Sequence, residues 1–368
     1  GGRDSNAARE LDLMGVNYFF GQQARWDEDE RYKDMPTVGT ETSSCVSTRG
    51  VYFMGDTLRK DFQISSYDLD SPGWGCSPDR QFATNARFPH LLGEFVWTGF
   101  DYLGEPTPYN SDNTNLLNFR TDPSKQEELK KKLEELARIQ PPSRSSYFGI
   151  VDLAGFPKDR YYLYQSHWRP ELPMAHILPH WNWPDRIGQV VPVHVYTSGT
   201  EAELFVNGKS WGRRSKREGQ DFRLVWDSVV YQPGSVRVVV YKNGQKWAED
   251  EVQTTGEARK IRLEADRNSL DAGSRELAFV TVRLTDEEGR TVPTACCPLK
   301  FEVEGAGELV ATDNGDPISF TPFQSAEREA FNGLALAIVR ARKGAAGEIR
   351  VRVSGEGLEP AVLQLEAR

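Results

Sequence analysis

Cysteine is scarce in this chain, with four in 368 residues: Cys45, Cys76, Cys296 and Cys297. None stands in a CxxC pair or at zinc-finger distance from a histidine, so all four read as free thiols. Adjacent Cys296 and Cys297 would point to opposite faces of an extended segment, which disfavours a bond between them. No apolar run approaches the ~20 residues of a membrane-spanning helix, so no membrane partner is expected. Positive charge is also short: 45 Lys and Arg face 54 Asp and Glu, a formal net charge of -9. Binding a phosphate backbone needs a basic surface, so nucleic acid is not an expected partner. The five histidines lack ligand spacing, and His176 and His180 are separated by Pro179, which breaks a regular helical turn. Gly-rich phosphate loops and a G-x-S-x-G elbow are absent. Neither a metal nor a cofactor is expected.

Aromatic residues, by contrast, are plentiful at 11%, including nine Trp. Sugars have apolar C–H faces that stack on such rings, so carbohydrate is a compatible ligand. The length suggests two to three domains. Leu11 to Phe20 is a continuous apolar run that reads as a buried strand of a parallel sheet. Further strands are expected at 37–43 and 95–102. Residues 21–35 read as an outer helix or loop, 49–64 as partly helical, and the Gly- and Pro-rich 71–79 as loop. Ser124 and Glu127 form a capping box for a helix to Gln140, stopped by Pro141-Pro142. A second helix is expected from about Pro157 to Trp168. Beyond residue 180 the pattern changes to alternating strands. Asn207-Gly208 and Asn243-Gly244 mark hairpin turns. Two β-sandwiches are expected, divided near residue 258.

Three segments carry the chemistry. LDLMGVNYFF ends in Asn17-Tyr18. PTVGTETSS holds Glu41 at the end of a short apolar run. GEFVWTGFDYLGEPTPY spans Gly93 to Tyr109. Apolar strands ending in polar and aromatic clusters are how the C-terminal rim of a (β/α)8 barrel reads. A carboxylate at a buried strand end is costly unless paired or hydrogen-bonded. Glu94, at the start of its strand, reads as an ion pair on the opposite face of the barrel. HWNWP (180–184) reads as packing between domains.

These motifs, with SSYFGIVDLAGFPKDRYYLYQSHW, VYTSGTEAELFVNGKSWG and LDAGSRELAFVTVRLTDEEGRTVP, resemble the C-terminal half of a glycoside hydrolase family 2 enzyme of the β-galactosidase type. The resemblance covers essentially the whole chain. It implies a multidomain fold: the C-terminal part of a (β/α)8 TIM barrel over 1–177, then immunoglobulin-like β-sandwiches over 178–257 and 258–368. It implies retaining exo-hydrolysis of a terminal β-galactoside, the carbohydrate being the partner. Gly39-Thr40-Glu41-Thr42 matches the family's nucleophile motif, which makes Glu41 the implied nucleophile. Asn17 and Tyr18 are implied substrate-site residues, the tyrosine bonding the nucleophile. Trp97 is the implied floor of the subsite for the non-reducing sugar, with a cis peptide after it. Asp101 could bond sugar hydroxyls or cap its loop. Glu105 is read as structural. The family's acid/base glutamate follows an asparagine, and no Asn-Glu dipeptide occurs here. The second carboxylate is therefore expected upstream, in a missing N-terminal half of the same protein, and this chain alone is expected to be inactive. Family resemblance favours a periplasmic or secreted location. The alternatives are a carbohydrate-binding or structural fragment, or a parent acting on β-glucuronides or β-mannosides. The uronate-reading Asn-x-Lys triplet has no counterpart in the barrel part.

Overall fold

The computed structural model describes residues 10–18, 20, 35–88, 90–109, 131 and 143–368. Residues 21–34 of the expected segment 21–35 and all of the expected helix 124–140 except helical Lys131 lie outside the described residues.

Three strands form a parallel sheet in the order β1 (Met14–Asn17), β2 (Thr37–Ser43), β5 (Leu91–Trp97). The second matches the expected span. The third begins four residues earlier than expected and ends at Trp97, after which Thr98 to Asp101 bond to residues 148–151 instead of the sheet. Residues 49–64, expected to be partly helical, instead form turns and a short hairpin of β3 (Arg59–Lys60) and β4 (Gln63–Ile64). Asp61 and Phe62 take positive φ at its turn, a geometry no helix accepts.

Helix α1 (Pro78–Arg87) was not foreseen. Ser77 caps it through the Arg80 N–H, and Pro78 supplies the first-turn φ. Helix α2 (Asp159–Trp168) falls where expected. Phe82 of α1 and Leu163 and Tyr164 of α2 are buried together. Val96 of β5 packs against this cluster, so the two helices cover one face of the parallel sheet.

Two antiparallel sheets follow. One has the order β10 (Leu224–Trp226), β7 (Val193–Thr197), β6 (Ala175–Leu178). The other runs β12 (Gln245–Gln253), β11 (Ser235–Lys242), β8 (Glu201–Val206), β9 (Lys209–Ser215). Alternate residues Ala202, Leu204 and Val206 face Val236, Val238 and Val240 in one dry core. Asn207 and Asn243 take positive φ ahead of glycines in the two hairpin turns. A second pair of sheets completes the chain. One has the order β13 (Lys260–Ala265), β15 (Leu277–Thr285), β19 (Leu334–Ala341), β17 (Gly307–Asp313). The other has β14 (Ser269–Leu270), β21 (Ala361–Ala367), β20 (Gly347–Ser354), β16 (Pro298–Gly305), β18 (Glu327–Glu329). Val280, Val282, Val339, Val351 and Val353 fill the space between them.

The parts are joined by buried polar groups. Arg223, from the middle sandwich, forks onto Asp79 of α1 and donates to the Tyr67 carbonyl at 2.6 Å. Arg49 pairs with Asp152 at 2.6 Å and donates to the Asn314 and Phe331 carbonyls of the last sandwich, each at 2.9 Å. The HWNWP segment does pack between parts. Trp181 is fully buried in the middle sandwich, while His180 stacks on Trp183 and both rings approach Tyr52. All four cysteines are free thiols.

One histidine, His194, is buried, and another, His180, is partly buried. Burial pushes His180 down to about 4 and His194 down to about 3. A histidine held neutral in the fold stabilises it fully above the unfolded value of about 6.5, and that stability drains away as pH falls toward the folded value. Unfolding monitored by urea should therefore show the midpoint falling between about pH 6.5 and 4. His194→Phe, which keeps the ring beside Tyr67, should flatten that dependence. An unchanged slope in the variant would remove His194 from the account.

Candidate active site

The C-terminal ends of the parallel strands bring the sequence candidates together. Asn17 pairs with Glu41 across β1 and β2, and Ser43 with Trp97 across β2 and β5. The register slips at Thr40–Glu41 relative to both neighbouring strands, a bulge in β2. Such bulges re-aim side chains. Here Thr40 reaches β1, donating to the Asn17 Oδ1 at 2.6 Å, while Glu41 meets the residue that follows. The Tyr18 hydroxyl donates to Glu41 Oε2 at 2.9 Å, and Ser44 Oγ donates to the Tyr18 oxygen at 3.0 Å.

Burial, opposed by the Ser44 donor and reinforced by the Glu41 carboxylate, pushes the Tyr18 phenol up to about 12. It therefore stays protonated at neutral pH and keeps donating to Glu41. The backbone is strained here: Tyr18, Ser43 and Ser44 all have φ between 50° and 63°. Non-glycine residues in this region cost of order 1–3 kcal/mol each and cluster at functional sites.

Trp97 leads to a second cluster. Its Nε1 donates to the Tyr102 hydroxyl at 3.1 Å, and Tyr102 donates in turn to Glu105. Glu105's charge also reaches the Tyr18 phenol, so the two clusters are neighbours. The Trp97–Thr98 peptide is cis. Ser44, Thr40 and Tyr102 were not singled out from sequence. The polar run Thr42-Ser43-Ser44 after Glu41 was the available signal for the first.

Asp101 does not join the site. It is buried, its Oδ1 accepts from the Gly149 N–H at 2.7 Å, and its Oδ2 meets Lys158 Nζ at 2.5 Å. Lys158 is buried too and donates to the Ser47 and Tyr147 carbonyls. The loop-holding alternative thus replaces the sugar-binding one, because both oxygens are committed inside the fold. Gly149 permits this close approach; a Cβ there would lie 2.2 Å from the Asp101 nitrogen. Glu94 likewise forms no ion pair among the described residues. It accepts from Thr42 Oγ1 at 2.6 Å and from Asn85 of α1 at 3.2 Å, and burial pushes its carboxyl up. It faces the helices, not the site. Among the described residues, no three His, Cys, Asp or Glu converge as a metal site.

Comparison with known proteins places this geometry. Residues 261–364 match the glycoside hydrolase family 2 C-terminal domain 5, and 188–248 match a domain of unknown function, DUF4982. A β-galactosidase of Bacteroides ovatus, BoGH2A, is 36% identical over 371 residues, spanning 97% of this chain and 39% of that protein. The chain belongs to glycoside hydrolase family 2. A putative β-glucuronidase of Formosa agariphila is 26% identical, covering 85% of this family 2 chain and 30% of its own length. Among solved structures, a β-glycosidase from Bacteroides vulgatus superposes with a TM-score of 0.79 at 27% identity, covering 97% of this chain and 45% of that one. The family 2 chain thus spans less than half the length of these relatives.

Proposed function

We propose that this chain is the C-terminal part of a retaining exo-β-galactosidase, with Glu41 as nucleophile. The carrying observation is the Tyr18–Glu41 hydrogen bond at the C-terminal end of a parallel sheet. On this reading the three parallel strands are the last three of a (β/α)8 barrel whose first five come from an upstream segment. Residues 1–177 form the barrel part, 178–257 and 258–368 the two immunoglobulin-like sandwiches.

Retention needs two carboxyl groups about 5–5.5 Å apart. Glu41 attacks the anomeric carbon and forms a glycosyl ester with inversion as the leaving oxygen departs. The second carboxyl protonates that oxygen, then takes a proton from water. The water attacks the ester with a second inversion, releasing Glu41. Tyr18, with Ser44 behind it, holds the attacking carboxylate. Asn17 and Trp97 line the sugar position.

Galactose is favoured over a uronic acid by the more extensive likeness to the Bacteroides ovatus β-galactosidase. In addition, the chain's one Asn-x-Lys triplet, Asn207–Lys209, is the turn between β8 and β9 and stands outside the barrel part. Nitrophenyl β-galactoside and β-glucuronide, offered to the longer protein and to this chain alone, test the proposal. Hydrolysis of the galactoside by the longer protein only is expected. Cleavage of the glucuronide alone would reassign the sugar. Cleavage by the isolated chain would mean that it holds its own acid, with Glu105 the candidate.

A further inference from the structure

The loop 71–77 leads into α1, is tied to the end of β2 at Ser43, and carries a large apolar side chain that the fold does not use. Trp74 is 47% exposed. It has no place in a hydrophobic cluster and no ring, cation or hydrogen-bond partner among the described residues.

Its backbone, in contrast, is pinned. Gly75 donates to the Pro72 carbonyl at 2.9 Å, and Cys76 donates to the Ser43 carbonyl at 2.7 Å. Ser43 Oγ returns a bond to the Cys76 carbonyl at 3.0 Å, and Ser77 caps α1 one residue on. A Cβ on Gly75 would lie 2.6 Å from the Ser43 oxygen and 3.1 Å from Ser44 Cβ. Ser44 is the residue that donates to Tyr18, which in turn holds Glu41. Trp74 is therefore next to a residue packed on the inner shell of the site. The loop after β1 meets the same wall, since Arg80 at the start of α1 lies 4.5 Å from the Phe20 ring.

We propose that Trp74 is the platform for the leaving-group sugar. This rests on the reading of Glu41 as nucleophile. In an exo-acting pocket the terminal sugar enters first, and the leaving group points back toward the rim. An exposed indole fixed at that rim offers an apolar face to stack on a pyranose and a free Nε1–H for a hydroxyl. A pinned backbone holds the ring in place before binding, which lowers the ordering cost.

The test compares Trp74→Ala and Trp74→Phe with the unaltered longer protein on a β-linked galactosyl disaccharide and on methyl β-galactoside. Methyl offers no ring to stack. Trp74→Ala should lower kcat/KM on the disaccharide about tenfold, chiefly through KM, while the methyl glycoside changes less than twofold. Trp74→Phe should recover most of the loss. Equal losses on both substrates would make Trp74 merely structural, and no loss on either would remove the platform. Glu41→Gln assayed alongside separates the two readings. Full activity there sinks the nucleophile assignment, whereas its abolition with an unselective Trp74→Ala sinks only the platform.

Discussion

Replacing Glu41 by Gln is expected to cut turnover of the longer protein by about four orders of magnitude or more, ~5.5 kcal/mol in barrier. The amide keeps the size of the carboxylate and can still meet Tyr18, so binding should survive while attack does not. Loss of less than about tenfold, ~1.4 kcal/mol, would refute the assignment. A second readout follows from stereochemistry. With Glu41→Gly, azide can enter the space left and displace the leaving group directly, so a β-galactoside should yield the α-azide. A β-azide would require another nucleophile. Tyr18→Phe is the graded companion. It removes one donor to a charged acceptor and should cost about 10- to 100-fold in kcat.

Arg49→Ala is expected to destabilise the fold by about 3–5 kcal/mol, seen as a lower urea midpoint. Arg49 is buried and holds Asp152, itself buried, together with two carbonyls of the last sandwich. Burial already pushes the Asp152 carboxyl up, and Arg49 is the chief opposing influence. Without it the carboxyl stays protonated at low pH and pays the full burial cost when ionised. A carboxyl with a raised folded value loses stability as pH rises. The deficit of the variant should thus widen from about pH 4 to 8. Gly315→Ala should act similarly from the other side, since its Cβ would lie 2.0 Å from Asp152 Oδ2 at a φ of +75°. A midpoint unchanged in both variants would show that this junction contributes nothing to stability.

Local pattern made much of this legible. Short apolar runs marked the segments that hold Tyr18 and Glu41, the resemblance to family 2 motifs singled out those residues and Trp97, and β2 fell on the expected 37–43. The sandwich hairpins were marked by Asn-Gly pairs, which favour positive φ. What escaped was set by distant partners. Asp101 was left open between the sugar and its loop, and the partner that decides for the loop, Lys158, stands 57 positions later. Glu94 reads as an ion pair in sequence, but its neighbours Thr42 and Asn85 are neutral. The span 49–64 has helical anchors at Leu58, Phe62 and Ile64, yet left-handed residues at 61 and 62 turn it into a hairpin. The bulge at Thr40 leaves no trace in composition.

The Arg49 junction also sets a clock on biosynthesis. Its partners at Asn314 and Phe331 lie 265 and 282 residues further along the chain. At roughly 5–20 residues per second of synthesis, Phe331 is made some 14–56 s after Arg49. Until then the ribosome-bound chain carries Arg49, joined by Asp152 only 103 residues later, with the carbonyls of the last sandwich still unmade. The region around the nucleophile can collapse early, but its last anchoring contacts must wait until Phe331 has been made. A premature stop ahead of residue 314 would release a chain that has its strands and its glutamate but lacks this anchor, which suits it for chaperone capture and proteolysis.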